Sequence, residues 1–386
     1  MSATNIEGRC ALTGRLLSLM LADGLVREVH ELDSTALTNS WLSPGFIDLQ
    51  VNGYGGCDLN EPDVSEDTVL RLAHRLLAQG TTIFLPTVIT ANEDHLLHAL
   101  ETIARARDRD SQLAQAIPGI HLEGPNISPE DGARGAHPAE HVRPPDVGEF
   151  MRWQRAGRGL VCLVTLSPHW SGASDYIATL VAQGIRVAIG HTHANPQQIA
   201  AAVDAGATLS THLGNGIASS LPRHPNPIWT QLANDRLRAT FIADGHHLPA
   251  DTLKVMLRAK GINRSILVSD SVALAGMPPG IYDTAIGGRV QLDGEGRLST
   301  ADTHLLAGAT LPLKDNVTWL VRQGLCSLSE AIRMASVHPG TFLDLPKPYT
   351  VGAPANVIQF SMKEGSNALH ITTAVRGGCI WHEGDA

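Results

Sequence analysis

The chain has 386 residues, 43% of them hydrophobic and 17% charged, with a formal net charge of -9 and a pI near 6.0. No lysine or arginine run supplies the basic face that nucleic-acid binding requires, and no apolar run reaches the roughly 18 residues of a membrane span. Met1 to Arg9 is polar and lacks the apolar core of a secretory leader, so a soluble, cytoplasmic protein with no nucleic-acid or membrane partner is expected. The five cysteines, Cys10, Cys57, Cys162, Cys326 and Cys379, are scattered and never form a C-x-x-C pair. They support neither a disulfide framework nor a thiolate metal site.

In chain order, residues 9–39 alternate loosely and read as short strands. Residues 355–360, 370–375 and 379–382 read the same way, separated by turn residues. A small β-sandwich domain built from both chain ends follows, with expected limits of 1–43 and 351–386 around a middle domain of 44–350. That middle alternates regularly. Apolar, β-branched runs fall at 46–51, 81–87, 117–122, 160–166, 186–192, 207–213, 238–243 and 265–269. Between most of them lie segments of helical spacing, such as 67–77, with Val69, Leu70, Leu72, Ala73, Leu76 and Leu77, and 249–259. Near-continuous apolar strands alternating with helices define an α/β fold with a covered parallel sheet. Eight such runs fit a TIM-like (β/α)8 barrel. A doubly wound open sheet is the alternative, but no G-x-G-x-x-G follows the first strand as its dinucleotide-binding form would require.

Barrel enzymes carry their chemistry at the C-terminal ends of the strands. Those positions hold Gln50 and Asn52, Glu123, His191, His212, Asp244 with His246 and His247, and Asp270. A carboxylate at a strand end can simply cap the next helix, and a single histidine there can be a bonded core residue. Four metal-type side chains in phase on successive strands exceed what capping explains. Neutral imidazoles suit a divalent metal such as zinc, whose catalytic sites use about three protein ligands and leave a position open.

Several motifs then coincide: Pro44-Gly-Phe-Ile-Asp-Leu-Gln-Val-Asn-Gly, Gly80-Thr-Thr-Ile-Phe-Leu-Pro-Thr, His121-Leu-Glu-Gly-Pro, Gly135-Ala-His-Pro, Gly190-His, Ser210-Thr-His-Leu-Gly-Asn, Ala243-Asp-Gly-His-His and Leu306-Ala-Gly-Ala. In this order the chain resembles the N-acetylglucosamine-6-phosphate deacetylases of the amidohydrolase superfamily. The resemblance implies that Glu123, His191 and His212 hold one divalent metal ion per chain, zinc by preference. It makes Asp270 the general acid/base and His137 the group that polarises the acyl carbonyl. His247 would contact the sugar. Arg223 would meet the 6-phosphate, which in this family can be supplied across a dimer interface, so a homodimer acting on an amino-sugar phosphate is expected. Gln50-Val51-Asn52 stands where some superfamily members carry a second-metal His-x-His, consistent with a single ion.

Asn215 and the Gly216 backbone follow a ligand strand and suit a phosphate or sugar hydroxyl, or alternatively form a tight glycine turn. The family's aromatic-Asn-Ala-Met is here Gly214-Asn215-Gly216-Ile217, its Glu after the arginine is His224, and its acidic residue after the fourth strand is replaced in Ser167-Pro168-His169-Trp170. An amidohydrolase acting on another N-acyl sugar or cyclic amide is therefore an alternative substrate reading, and a non-catalytic sugar-binding protein is an alternative of another class. His193, His246 and His304 read as structural or pocket-lining, and Gly308 as a close-packing position over the site.

Overall fold

The computed structural model describes residues 3–33, 39–284, 288–302, 306–362, 368–377 and 379–382; His304 lies outside them. The eight apolar runs of the middle region are eight parallel strands: Phe46–Val51, Thr81–Ile89, Ile120–Glu123, Val161–Leu166, Arg186–Ile189, Leu209–Ser210, Arg238–Phe241 and Ser265–Leu267, hydrogen-bonded in chain order. The first and last meet just beyond their ends, where Val51 bridges Ser271 in parallel and Asp270 N donates to Gln50 O at 3.1 Å. A (β/α)8-like barrel is thus nearly closed, and its seam passes through Asp270, the residue expected to act as general acid/base.

The helices form where apolar spacing and caps coincide. Glu66–Ala78 buries Val69, Leu72, Ala73, Leu76 and Leu77; Ser65 caps its first turn by accepting from Thr68 N. Glu66 and Asp67 start it and Arg75 ends it, each favourable toward the helix dipole. Ala250–Lys260 occupies the second segment read as helical. Pro196–Asp204, between the two histidine strands, starts with a capping box in which Asn195 and Gln198 satisfy each other's backbone N–H.

Both chain ends contribute to one further sheet, in the order Cys379–His382, Leu369–Arg376, Asn356–Met362, Ser40–Pro44, Thr4–Cys10, Leu16–Ala22, Leu25–Glu31. Its seven strands are hydrogen-bonded continuously, antiparallel except where Arg9 faces Trp41. Ile6, Leu19, Leu21, Val26, Leu42, Val357 and Val375 form one core on it. Ile358, Phe360, Ile371 and Ala374 belong to a second, which includes Phe46 of the barrel and Leu313, Val317 and Leu320 of the helix Leu313–Arg322.

Past Asp270 the chain forms three antiparallel strands that the sequence reading does not contain, Gly280–Thr284, Gly288–Leu292 and Leu298–Thr300. Their apolar content is thin because only Val290, Leu292 and Leu298 are buried, together with Leu274. A hairpin that covers a cavity buries one narrow face, so its sequence gives a weak period-2 signal.

Candidate active site

Glu123 is the last residue of Ile120–Glu123, while His191 and His212 lie two residues beyond Arg186–Ile189 and Leu209–Ser210. The close approach of the strands here dictates Gly190, since a Cβ would fall 2.7 Å from Thr165 Cγ2 and 2.8 Å from Thr211 Cβ. His191, His212 and Asp270 all adopt left-handed backbone, at φ 45°, 24° and 50°. Non-glycine residues reach that region at a cost of about 1–3 kcal/mol each, here spent turning side chains across the barrel mouth.

The three expected ligands converge. His212 Nε2 lies 3.0 Å from Glu123 Oε1, His191 Nε2 lies 3.3 Å from it, and the two imidazole nitrogens are 3.1 Å apart. Among the described residues this is the one group of three or more such side chains whose ligand atoms come together. The donor chemistry fits a cation. His191 Nδ1 faces the carbonyl of Ala133 at 3.1 Å, which can only accept, so Nδ1 carries the hydrogen and Nε2 turns a lone pair toward Glu123 and His212. Lone pairs at such spacing repel unless a positive charge, a metal ion or a proton on His212 Nε2, lies among them. A tetrahedral zinc ion with bonds of about 2.0–2.1 Å keeps its ligand atoms roughly 3.3 Å apart, close to the edges found.

Burial opposes the Glu123 charge, yet its contacts with His191 and His212 hold the carboxyl well below its ordinary range. Burial works against protonated His212 too, but its hydrogen bond to Glu123 and that carboxylate's charge raise it. Asp270 is different. Burial and then the Glu123 charge push it up to about 6, against the pull of His212, His247 and Asn52. Its Oδ1 accepts from Asn52 Nδ2 at 2.8 Å and Gln50 Nε2 at 3.0 Å, and the same Gln50 nitrogen reaches Glu123 Oε1 at 2.9 Å. His137 is buried with Nδ1 2.9 Å from Thr90 Oγ1 and Nε2 3.9 Å from Glu123 Oε2. Burial and then His191 push His137 down to about 3, so it is neutral.

These groups line a cavity of about 270 Å³ that includes Glu123, His137, His191, His212, His247 and Asp270. Asn215 and Gly216 line it as well. Gly216 sits at φ 58°, and a Cβ there would lie 2.8 Å from His191 Nδ1. His247 Nδ1 donates to Asp244 Oδ2 at 2.7 Å, while Asp244 Oδ1 takes the backbone N–H groups of His246 and His247. Gly308 also lines the cavity, and a Cβ on it would meet Val272 Cγ1 at 2.6 Å.

Arg223 is not brought into this group: it is exposed and outside the cavity lining, which among the described residues contains no lysine or arginine. His193 and His169 pair off, their rings 4.2 Å apart, outside that lining. His246 Nε2 reaches Glu295 O at 3.1 Å on the surface. The sequence reading missed Asp58, Asn60 and Ile89 in the wall, with Thr284 and Leu298 from the three-stranded cover. Asp58 and Asn60 lay within reach of a strand-end reading, being only a hairpin away from Phe46–Val51.

The site lies at the C-terminal mouth of the barrel, where barrel enzymes of many chemistries carry their catalytic groups, and the amidohydrolase family profile matches residues 41–378. The chain belongs to the amidohydrolase family. It is 33% identical over 356 residues to the N-acetylglucosamine-6-phosphate deacetylase of Bacillus subtilis (strain 168), covering 91% of this chain and 87% of that one. It is 35% identical over 328 residues to the N-acetylgalactosamine-6-phosphate deacetylase of Escherichia coli O157:H7, covering 84% of each. The N-acetyl-D-glucosamine-6-phosphate deacetylase of Mycobacterium smegmatis in complex with N-acetyl-D-glucosamine-6-phosphate matches it with a TM-score of 0.86 at 30% identity, covering 98% of this chain and 99% of that one. No helix among the described residues is long and apolar enough to cross a membrane.

Proposed function

We propose that the chain hydrolyses the N-acetyl amide of an amino-sugar 6-phosphate, N-acetylglucosamine 6-phosphate in the first instance, to acetate and the free amine. The observation that carries this is the meeting of Glu123 Oε1, His191 Nε2 and His212 Nε2 within 3.3 Å of one another, beside a carboxyl, Asp270, raised to about 6. The relatives, all deacetylases of N-acetylhexosamine 6-phosphates, support the substrate class.

Glu123, His191 and His212 would hold one divalent cation, zinc by preference. When bound, such an ion supplies Lewis acidity that makes water nucleophilic near neutral pH and favours negative charge on a carbonyl oxygen. Asp270 takes a proton from the attacking water and returns one to the amine nitrogen as the C–N bond breaks, a two-way transfer suited to a carboxyl whose pKa lies near the working pH. Gln50 and Asn52 both grip Oδ1, which aims Oδ2 for that transfer. His137 meets the acyl oxygen, and His247, steadied by Asp244, meets the sugar. Asn215 and Gly216 face the phosphate end. Arg223, exposed on this chain, would meet the phosphate of a substrate held by the partner in a homodimer. The catalytic unit is residues 44–350, with 1–43 and 351–386 forming the end domain.

One observation favours a second reading within the same chemistry. The cavity's own walls carry no lysine or arginine among the described residues, which suits an unphosphorylated N-acyl sugar if Arg223 is not delivered. Acetate release from N-acetylglucosamine, N-acetylgalactosamine and their 6-phosphates decides between them. Turnover of a free sugar at least as fast as its phosphate rejects the phosphate assignment, and no acetate from any of the four rejects the function.

A further inference from the structure

We propose that Thr90 is the positioning residue that decides which nitrogen of the His137 imidazole carries the hydrogen. The proposal rests on the reading above, in which His137 faces the acyl oxygen, and it fixes the form in which it does so.

Thr90 is the first residue past Thr81–Ile89 and is 1% exposed. A threonine hydroxyl has one hydrogen to donate and two lone pairs, and a buried hydroxyl hydrogen needs an acceptor. Among the described residues Thr90 Oγ1 meets a single partner, His137 Nδ1 at 2.9 Å. The hydroxyl therefore donates and Nδ1 accepts. A neutral imidazole that accepts at Nδ1 carries its hydrogen on Nε2, and Nε2 is the atom 3.9 Å from Glu123 Oε2 on the cavity side. His137 thus meets a substrate as an N–H donor. In the opposite tautomer Nε2 would turn a lone pair toward both the Glu123 carboxylate and an acyl oxygen, repelling each.

The surroundings keep this contact in place. Gly124, the glycine of Leu-Glu-Gly-Pro, sits at φ 82°, and a Cβ there would lie 2.2 Å from Thr90 Oγ1. Arg134 Nη1 donates to the His137 carbonyl at 2.8 Å, fixing the backbone. The His191 ring stands edge-on to His137, centroids 4.4 Å apart, which limits ring rotation.

The test uses metal-loaded enzyme with 15N-labelled histidine, the His137 signals being assigned by their loss in His137→Gln. The wild type should show hydrogen on Nε2 and an unprotonated Nδ1. Thr90→Ser should keep that pattern and kcat within about threefold. Thr90→Val, close in shape but without the hydroxyl, should show a mixed tautomer, unchanged metal content and unchanged KM. Its kcat should fall about tenfold to hundredfold, less than the 10²–10³ that outright loss of such a donor costs. Hydrogen on Nδ1 in the wild type overturns the proposal, as does a Thr90→Ser loss equal to that of Thr90→Val, or full kcat in Thr90→Val. If Thr90→Val does not fold, the wild-type spectrum and Thr90→Ser still decide. Absence of deacetylation by the wild type would reject the function while leaving the spectral result standing.

Discussion

The Asn52 amide nitrogen lies 2.8 Å from Asp270 Oδ1, a contact that joins the first barrel strand to the end of the last. Two carboxamides, Asn52 and Gln50, occupy strand-end positions suited to imidazole ligands and donate hydrogen bonds instead. Asp270→Asn should keep the metal, because its Oδ1 still accepts both bonds, yet lose at least about 90% of kcat, since general acid/base transfer contributes about 10²- to 10⁴-fold. Metal analysis alongside steady-state kinetics checks it. A variant retaining more than a tenth of kcat removes Asp270 from the proton path.

A single ion per chain is the expected stoichiometry, because the two carboxamides supply donors where a second ion would need lone pairs. Elemental analysis of protein purified without added metal should give roughly one, and two would contradict it. Glu123→Ala and His191→Ala should lose metal and activity together, since each removes one of the three converging ligands.

Arg223→Ala separates the two substrate readings. A guanidinium gives phosphate paired, charge-assisted hydrogen bonds that fix its orientation. If it serves the phosphate, KM for the 6-phosphate should rise at least tenfold while the free sugar is unaffected. Equal losses on both would make Arg223 an anchor of the Leu-Pro-Arg-His-Pro-Asn-Pro segment.

Asp48 offers a pH effect away from the metal ligands. It is 1% exposed on the first barrel strand and accepts the backbone N–H groups of Gln50 and Ser269. Burial, against those bonds, pushes it up to about 7. The folded chain therefore holds this proton more tightly than the unfolded one, whose group titrates near 3.8. Stability from Asp48 is full below about pH 4, declines as pH rises to about 7 and is flat above. Comparing urea midpoints of the wild type and Asp48→Asn from pH 4 to 8 should show the difference growing in favour of the variant up to about pH 7. A constant difference would refute it.

The parts legible in sequence were those built from long buried patterns. Runs such as Val161–Leu166 are largely apolar on both faces because the barrel buries both, and Glu123, His191 and His212 stood out as polar residues at their ends. The hairpin Gly53–Tyr54 with Cys57–Asp58 escaped because two-residue strands are too short for a period to show, and Gly280–Thr284 with Gly288–Leu292 escaped because it buries only Val290 and Leu292. Thr90 escaped for another reason: its hydroxyl acquires meaning only through a ring 47 positions away, and no local spacing records that.

The seven-stranded end sheet has a consequence for how the chain is made. Ser40–Pro44 needs Asn356–Met362 on one side, and the ribosome delivers that strand only after some three hundred further residues. At about 5–20 residues per second the early strands wait roughly fifteen seconds to a minute with an open edge. Throughout that interval Trp41, which later stacks on Phe360, has no permanent cover. Nascent chains of this protein should thus be most prone to aggregate, and most in need of a holding chaperone, after the barrel has emerged and before the last forty residues have.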